Sequence, residues 1–390
     1  MSAEIKKKLL IVSLAISILY SLFYAMPLYM NSTFLESIWG REITSIIYTA
    51  SALISLFLSF KMVKYIKKIH TYNFARIILI FGFISTISMG LTNNPFVVAF
   101  GFLGYFITQT LFGSIINILV EEFTAEDREG EIKGIFLTLV NAGILISPLI
   151  AGQVMSVLGY QYVYILSALM LIPILIVMKH YYHHIEDPKY TNLDIRKTIK
   201  EIRANKNISL VLLSTFILNT FYAVMTIYAP LYLIANTNIS IDQYVGVIMP
   251  FALIPFVLLP YQLGYLADKK YGEKEMMISG IVIIALTSLL FPFLNTNNIF
   301  FISLFLLISR VGATMLETMN YTYFYRKVSA EKVSLVVMFS NMSTMSYVAA
   351  PLLASIILQF SDGRTMYIFI TFAILALLSL NTISRLKDTR

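Results

Sequence analysis

The sequence contains no cysteine, a single tryptophan and few charges, since charged residues make up only 13% of its 390 positions. The absence of cysteine excludes disulfides, thiolate catalysis and cysteine-ligated zinc or iron–sulfur sites. So low a charged fraction, beside 58% hydrophobic residues and a mean hydropathy of +0.78, excludes an ordinary soluble domain. The chain is therefore predicted to be a polytopic membrane protein.

Charge-free stretches long enough to cross a bilayer once or twice run through the whole chain. At roughly 20 to 25 residues per crossing, the length accommodates about twelve helices. We place them near 9–34, 41–66, 72–91, 96–122, 131–155, 160–180, 207–235, 241–268, 274–294, 298–326, 332–360 and 364–385. The predicted fold class is an all-α membrane protein with twelve transmembrane helices.

Most lysine and arginine residues lie in connections that are predicted to be on one side of the membrane. Of the 29, 26 fall at the termini or in every second connection, only Arg41 and Arg364 fall on the opposite side, and Arg310 lies inside an apolar run. Positive residues concentrate in cytoplasmic loops, so both termini are predicted to be cytoplasmic. A nucleic-acid-binding surface would not be split among alternate loops, which excludes nucleic acid as a partner.

The only long connection, 181–206, divides the chain into predicted six-helix halves at 1–180 and 207–390. Short repeats support a duplication. Phe23-Tyr24-Ala25 in helix 1 returns as Phe221-Tyr222-Ala223 in helix 7, and Ser147–Ala151 in helix 5 returns as Ala350–Ala354 in helix 11. Two pseudo-symmetric halves are therefore expected.

The connection itself carries an amphipathic pattern. Ile195, Ile199 and Ile202 form an apolar stripe, while Arg196 and Lys200 are among the basic residues on the other faces. This pattern predicts a helix that lies on anionic lipid headgroups. The histidines of the nearby HYYHH segment lack an acidic pattern to complete a metal site, so no metal is predicted.

The turn between helices 8 and 9 carries the most specific motif, Gly264-Tyr-Leu-Ala-Asp268-Lys269-Lys270-Tyr-Gly272. It resembles the glycine, acidic, basic, glycine signature of the major facilitator superfamily, with one extra residue before the second glycine. Gly264 would let helices pack closely and Gly272 would permit the reversal. The equivalent turn of the first half, 59–73, has neither the glycines nor the acid.

The resemblance implies a secondary transporter with an inner gate. Asp268 is expected to meet the N-terminus of helix 5, with Arg128 or Lys133 as the basic partner. Within helix 5, Gly143, Pro148 and Gly152 partly match a pattern that antiporters of the superfamily carry in fuller form, which favours efflux. The alternative is that these residues only permit close packing and a bend.

Two ionisable residues, Arg310 and Glu317, lie clear of the ends of any predicted helix. Buried charges are costly in a membrane, so both are functional candidates. Glu317 is predicted to be the proton-coupling site, because opening to either side would change both its hydration and the influence of a nearby cation. Arg310 is predicted to exert electrostatic control on it or to anchor substrate. A structural role in packing is the alternative for both.

In the superfamily, helices 1, 4, 7 and 10 line the central cavity, so polar stripes on these helices are substrate candidates by resemblance. The spacing of these side chains places each set on one helix face. They are Tyr20 and Tyr24 on helix 1, Tyr105 and Gln109 on helix 4, Asn219, Tyr222 and Thr226 on helix 7, and Asn320, Arg310 and Glu317 on helix 10.

The predicted function is secondary active transport of a small organic solute across the cytoplasmic membrane, coupled to protons and directed to efflux. No Walker A, HExxH or nucleophile-elbow motif is present, so ATP hydrolysis and these enzyme chemistries are not expected. A lipid flippase or a transporter-derived sensor is the alternative. We expect a monomer without cofactors, and the substrate classes left open are a lipophilic cation, a zwitterion and an organic anion.

Overall fold

A computed structural model describes residues 3–124, 129–185, 195–294, 296–328 and 333–387. Within these ranges twelve helices are long and apolar enough to cross a membrane, which confirms the predicted fold class. We number them α1 to α12 in chain order. They are α1 Ala3–Leu28, α2 Arg41–Ile69, α3 Thr71–Leu91, α4 Pro95–Phe123, α5 Glu129–Leu158, α6 Tyr160–Tyr182, α7 Lys206–Asn236, α8 Ile241–Leu258, α9 Glu273–Leu290, α10 Ile299–Lys327, α11 Val333–Phe360 and α12 Met366–Ile383.

The first helix differs from the prediction at both ends. It was expected over 9–34 but begins at Ala3 and ends at Leu28, and a separate short helix follows over Asn31–Trp39. Pro27 has no N–H to donate within the last turn, and the chain turns at Tyr29 and Met30. The prediction was wrong because the apolar run continues through this turn without a polar break.

The predicted continuous helix 241–268 is interrupted in the structure. A π-helical turn at Tyr244–Ile248 lies within α8, short α-helical segments follow, and a second π-helical turn occupies Ala267–Tyr271. Pro250, Pro255 and Pro260 recur every five residues, and each removes a backbone donor from the helical ladder. Proline and π-helical turns are recognised causes of helix kinks, which accounts for the segmentation.

The chain forms two compact units, of which the first comprises Met1–Trp39 and Ala50–Asn192. In this unit α3 and α4 approach closely through small residues. A Cβ added at Gly104 would clash with Ser85 Oγ, and one added at Gly82 would lie 2.5 Å from Thr108. Small residues let membrane helices approach until their backbones are nearly in contact, and van der Waals packing then holds them together.

The second unit comprises Gly40–Thr49 and Leu193–Arg390. Here α9 and α10 form the corresponding close pair, since a Cβ added at Gly280 would lie 2.8 Å from the carbonyl oxygen of Gly312. Buried aromatic rings fill one end of the unit, with Phe291 and Phe369 4.7 Å apart between ring centroids. The unit also contains a short helix, Ile195–Ala204, in which Thr198 is buried while Ile195 and Ile199 are each more than a third exposed.

Candidate functional site

Glu317 on α10 accepts a hydrogen bond from the hydroxyl of Tyr222 on α7, with 3.3 Å between the oxygens. Its side chain is half-buried. In the part of the chain that the structure describes, no lysine or arginine nitrogen lies within 4.0 Å of this carboxylate. Glu317 is therefore an acid in an apolar span with a neutral donor and no compensating cation.

Aromatic rings from α8 and α11 pack against Tyr222 and Tyr321, the two tyrosines nearest Glu317. Phe256 on α8 lies 5.9 Å from Tyr222 between ring centroids, and Tyr321 lies one turn after Glu317 on the same face of α10. Phe339 on α11 packs edge-on against Tyr321 at 5.1 Å. We call these five residues the aromatic recess. Tyr222, Phe256 and Tyr321 are half-buried like Glu317, so none of these four side chains is fully enclosed by the described residues.

Arg310 occupies a different environment, although it lies only seven residues before Glu317. It is 2% exposed, and its guanidinium lies over the ring of Phe221, 5.2 Å from the centroid. One of its terminal nitrogens has no hydrogen-bond partner among the described residues. Seven residues correspond to about 10 Å of helix rise, so Arg310 and Glu317 do not form a direct pair.

The other candidates of the second unit are not brought to the carboxylate by any observed contact. Asn320 is 1% exposed and accepts a hydrogen bond of 2.6 Å from Ser214. Asn219 donates to the carbonyl oxygen of Thr215 at 2.8 Å, and Thr226 is 4% exposed. Of the predicted cavity residues on α7, Tyr222 is the one that contacts Glu317.

The candidates of the first unit form one cluster between α1 and α4. The hydroxyl of Tyr20 donates to the backbone carbonyl of Gln109, and the hydroxyl of Tyr105 donates to that of Tyr24 at 2.5 Å. The rings of Tyr20 and Tyr24 are 5.2 Å apart. Tyr20 and Tyr105 are buried, whereas Tyr24 and Gln109 are half-buried and so accessible to a solute.

The two units repeat one side-chain arrangement, each within itself. Phe23 on α1 packs against Tyr105 on α4 at 5.5 Å, and Phe221 on α7 packs against Arg310 on α10 at 5.2 Å. Phe23 and Phe221 belong to the repeated Phe-Tyr-Ala segment. The partner of this phenylalanine is thus an aromatic residue in the first unit and a cation in the second.

The predicted gate is described only in part. Arg128 lies outside the described residues, and so do the side chains of Asp268 and Lys133. Gly272 has φ 80°, as the expected reversal requires, and Lys269 is exposed. A Cβ added at Gly264 would meet no described atom within 4 Å, so close packing does not explain that glycine.

The helix 5 pattern lies inside the first unit. A Cβ added at Gly143 would lie 2.5 Å from the Cβ of Ser21 on α1, so this glycine permits a close crossing. Pro148 and Gly152 are both buried within α5. Close packing of this helix is thus a sufficient reason for at least Gly143.

Sequence reasoning missed two features near the site. Tyr321 belongs to the aromatic recess and could have been found from its i, i+4 spacing to Glu317. Glu273, at the first position of α9, is 1% exposed and forms an ion pair of 2.5 Å with Arg326 near the end of α10. No signal in the sequence distinguishes this pair from other charges at helix ends.

Comparison with known proteins gives a consistent picture of the fold. The model of the Major Facilitator Superfamily matches residues 9–343, with a further match over 211–388. The solved nucleoside transporter NupG is similar with a TM-score of 0.73, 13% identity, and coverage of 96% of this chain and 98% of that chain. A bacterial homologue of the human lysosomal transporter Spinster, in an inward-facing and unoccupied conformation, has a TM-score of 0.73, 12% identity, and coverage of 99% and 98%. No curated protein matches the chain by sequence.

Proposed function

The chain belongs to the major facilitator superfamily, and we propose that it is a secondary transporter of a small organic solute, coupled to protons through Glu317. Two findings support this proposal. The chain has a multi-pass membrane architecture, and its fold is similar to those of solved transporters. Alternating access around a site near the bilayer midplane is the mode of action that such a two-unit architecture supports.

The proposal rests on the surroundings of the Glu317 carboxylate. A carboxylate away from water is costly, and a single neutral hydrogen bond offsets only part of that cost. Because no described cation neutralises it, a proton or a cationic ligand is needed to do so. Partial exposure gives both of them access, which a sealed structural acid would lack.

The titratable groups beside Glu317 are few. Tyr222 faces it from α7, and Tyr321 follows it on α10. The rings that α8 and α11 contribute to the recess, Phe256 and Phe339, do not titrate. Proton exchange is therefore assigned to Glu317, with Arg310 acting on it through the field along α10 rather than by contact.

Direction and gating are the finer parts of the proposal. The partial antiporter pattern of Gly143, Pro148 and Gly152 favours efflux across the cytoplasmic membrane. The turn with Gly264, Asp268 and Lys269 is proposed to close the inner side together with Arg128. We propose that the working form is a monomer.

The test uses purified protein in vesicles loaded with a pH-sensitive dye. Tetraphenylphosphonium, phenylalanine and benzoate serve as cationic, zwitterionic and anionic probes, added under an imposed pH gradient. In the wild type at least one probe is expected to change the rate of proton movement. Glu317→Gln should abolish that change while exchange of the same probe, even if weaker, remains measurable, and Glu317→Asp should retain part of the change. Probe-dependent proton movement that survives in Glu317→Gln, or that never occurs in the wild type, would contradict the proposal.

A further inference from the structure

We infer that the aromatic recess binds a solute carrying a positive charge next to an apolar or aromatic body. This rests on the proposed transport function and names the substrate class for it. Three substrate classes are compatible with the sequence, whereas the surroundings of Glu317 and Arg310 favour one of them.

The first step concerns which of the two charges a solute can reach. Glu317 is half-buried and lies among other half-buried side chains, whereas Arg310 is 2% exposed. The guanidinium carbon of Arg310 lies 5.2 Å from the centroid of the Phe221 ring. Because Glu317 is the more exposed of the two, an incoming group is expected to meet the carboxylate first.

The second step concerns the positive charge that the Glu317 carboxylate lacks among the described residues. Its one described partner is the Tyr222 hydroxyl, which donates a single hydrogen bond without charge. The nearest basic residue toward the end of α10, Arg326, pairs with Glu273 instead. A cationic group on the solute would supply the missing charge, and attraction between opposite charges is strong away from water.

The third step concerns the walls of the recess. Tyr222, Phe256 and Tyr321 each present an electron-rich ring, and cations are attracted to the faces of such rings within about 6 Å of the centroid. The same rings give apolar area to the body of the solute. An anion would meet Glu317 as a like charge, and the negative end of a zwitterion would find Arg310 buried, so both classes are disfavoured.

Binding and protonation should therefore exclude one another, because both use the Glu317 carboxylate. The affinity for a cation is expected to fall as the pH is lowered, and this dependence should vanish when position 317 cannot ionise. Coupling of solute to proton then follows from competition at a single group.

The experiment measures binding of tetraphenylphosphonium to purified full-length protein by isothermal titration, without a gradient. Saturable binding is expected in the wild type, weakening as the pH falls. Glu317→Gln should weaken it by at least about tenfold and flatten its pH dependence. Tyr321→Ala, which removes a ring from the recess, should bind more weakly than Tyr321→Phe, which keeps it. Glu42→Gln removes the same charge from an exposed position on α2 and should change nothing.

Tetraphenylborate has the same shape with the opposite charge and should not displace the cation. Equal affinity in wild type and Glu317→Gln, displacement by tetraphenylborate, or no binding in the wild type would overturn the assignment of substrate class. If phenylalanine or benzoate nevertheless drives Glu317-dependent proton movement in vesicles, the coupling proposal stands and only the substrate class is wrong. If no probe does so, the proposed function fails as well.

Discussion

At the scale of single residues, the Glu273–Arg326 pair connects the start of α9 to the end of α10. Glu273 is 1% exposed and stands in the first turn of α9, where the helix dipole favours an acid. Arg326 is less buried, with its side chain 41% exposed, so part of the attraction is screened by solvent. Loss of the ion pair should therefore cost more at Glu273, which is shielded from water, than at Arg326, which is partly hydrated.

We therefore expect Arg326→Ala to destabilise the folded protein by about 1 to 3 kcal/mol, because it leaves a buried carboxylate without that cation. The measurement is the thermal unfolding temperature in detergent, which should fall by several degrees. Lys327→Ala removes a charge from the adjacent exposed position and should have little effect. Equal unfolding temperatures for both variants would show that the pair contributes nothing measurable.

The sequence was sufficient to single out Arg310 and Glu317, because charges within apolar runs are rare and costly. It could not tell which of them is accessible. The difference arises because the ring of Phe221 lies over Arg310, whereas the hydroxyl of Tyr222 lies beside Glu317. Phe221 and Tyr222 are adjacent residues of α7. The polar spacing of α7 predicts that Tyr222 faces the cavity, but it does not predict that Phe221 packs on Arg310.

At the scale of helices, the closest crossing of the second unit joins α9 and α10 through Gly280 and Gly312. A Cβ at Gly280 would meet the Gly312 carbonyl at 2.8 Å, and one at Gly312 would meet Ile283 at 2.6 Å. Distances this short require the helices to separate. Because membrane helices are held together largely by such packing, the cost is not recovered elsewhere.

We expect Gly280→Val to lower the unfolding temperature by several degrees and to reduce the yield of folded protein. Gly264→Ala is the matched control, since its added Cβ would meet no described atom within 4 Å and alanine favours helix. It should unfold at the wild-type temperature or above. A Gly280→Val protein as stable as Gly264→Ala would mean that α9 and α10 are not in contact as described.

The positions of most helices were predictable, because polar outer turns and long apolar runs mark them clearly. Capping asparagines support two of the starts, as Asn94 accepts hydrogen bonds from the first turn of α4 and Asn298 does so for α10. The end of α1 and the segmentation of α8 were missed. In both places a proline decides the backbone geometry within a run whose hydropathy does not change.

At the scale of the whole molecule, the distribution of basic residues predicts which side of the membrane each connection faces. The chain is free of cysteine, so any introduced cysteine is the only one present. Asn238, in the connection after α7, and Lys68, in the last turn of α2, are both exposed and are predicted to face opposite sides. This pair allows the orientation to be tested in cells.

We expect a membrane-impermeant maleimide to label Asn238→Cys in intact cells, and to label Lys68→Cys only after the membrane is permeabilised. The unmodified chain should not be labelled at all, which provides the background. The reverse pattern would place both termini outside and would contradict the orientation derived from charge.

The π-helical turn within α8 has a mechanical consequence for the recess. Such a turn holds about one more residue than an α-helical turn, so the helix is shorter and less wound there than a continuous α-helix of the same residues. When a π-helical turn tightens to α-helix, the segment beyond it advances by about 1.5 Å and rotates by about a quarter of a circle. Phe256 lies beyond the turn at Tyr244–Ile248 and before the one at Ala267–Tyr271. A change from π-helix to α-helix at Tyr244–Ile248 would therefore be expected to rotate Phe256 relative to Tyr222 on α7 and Glu317 on α10.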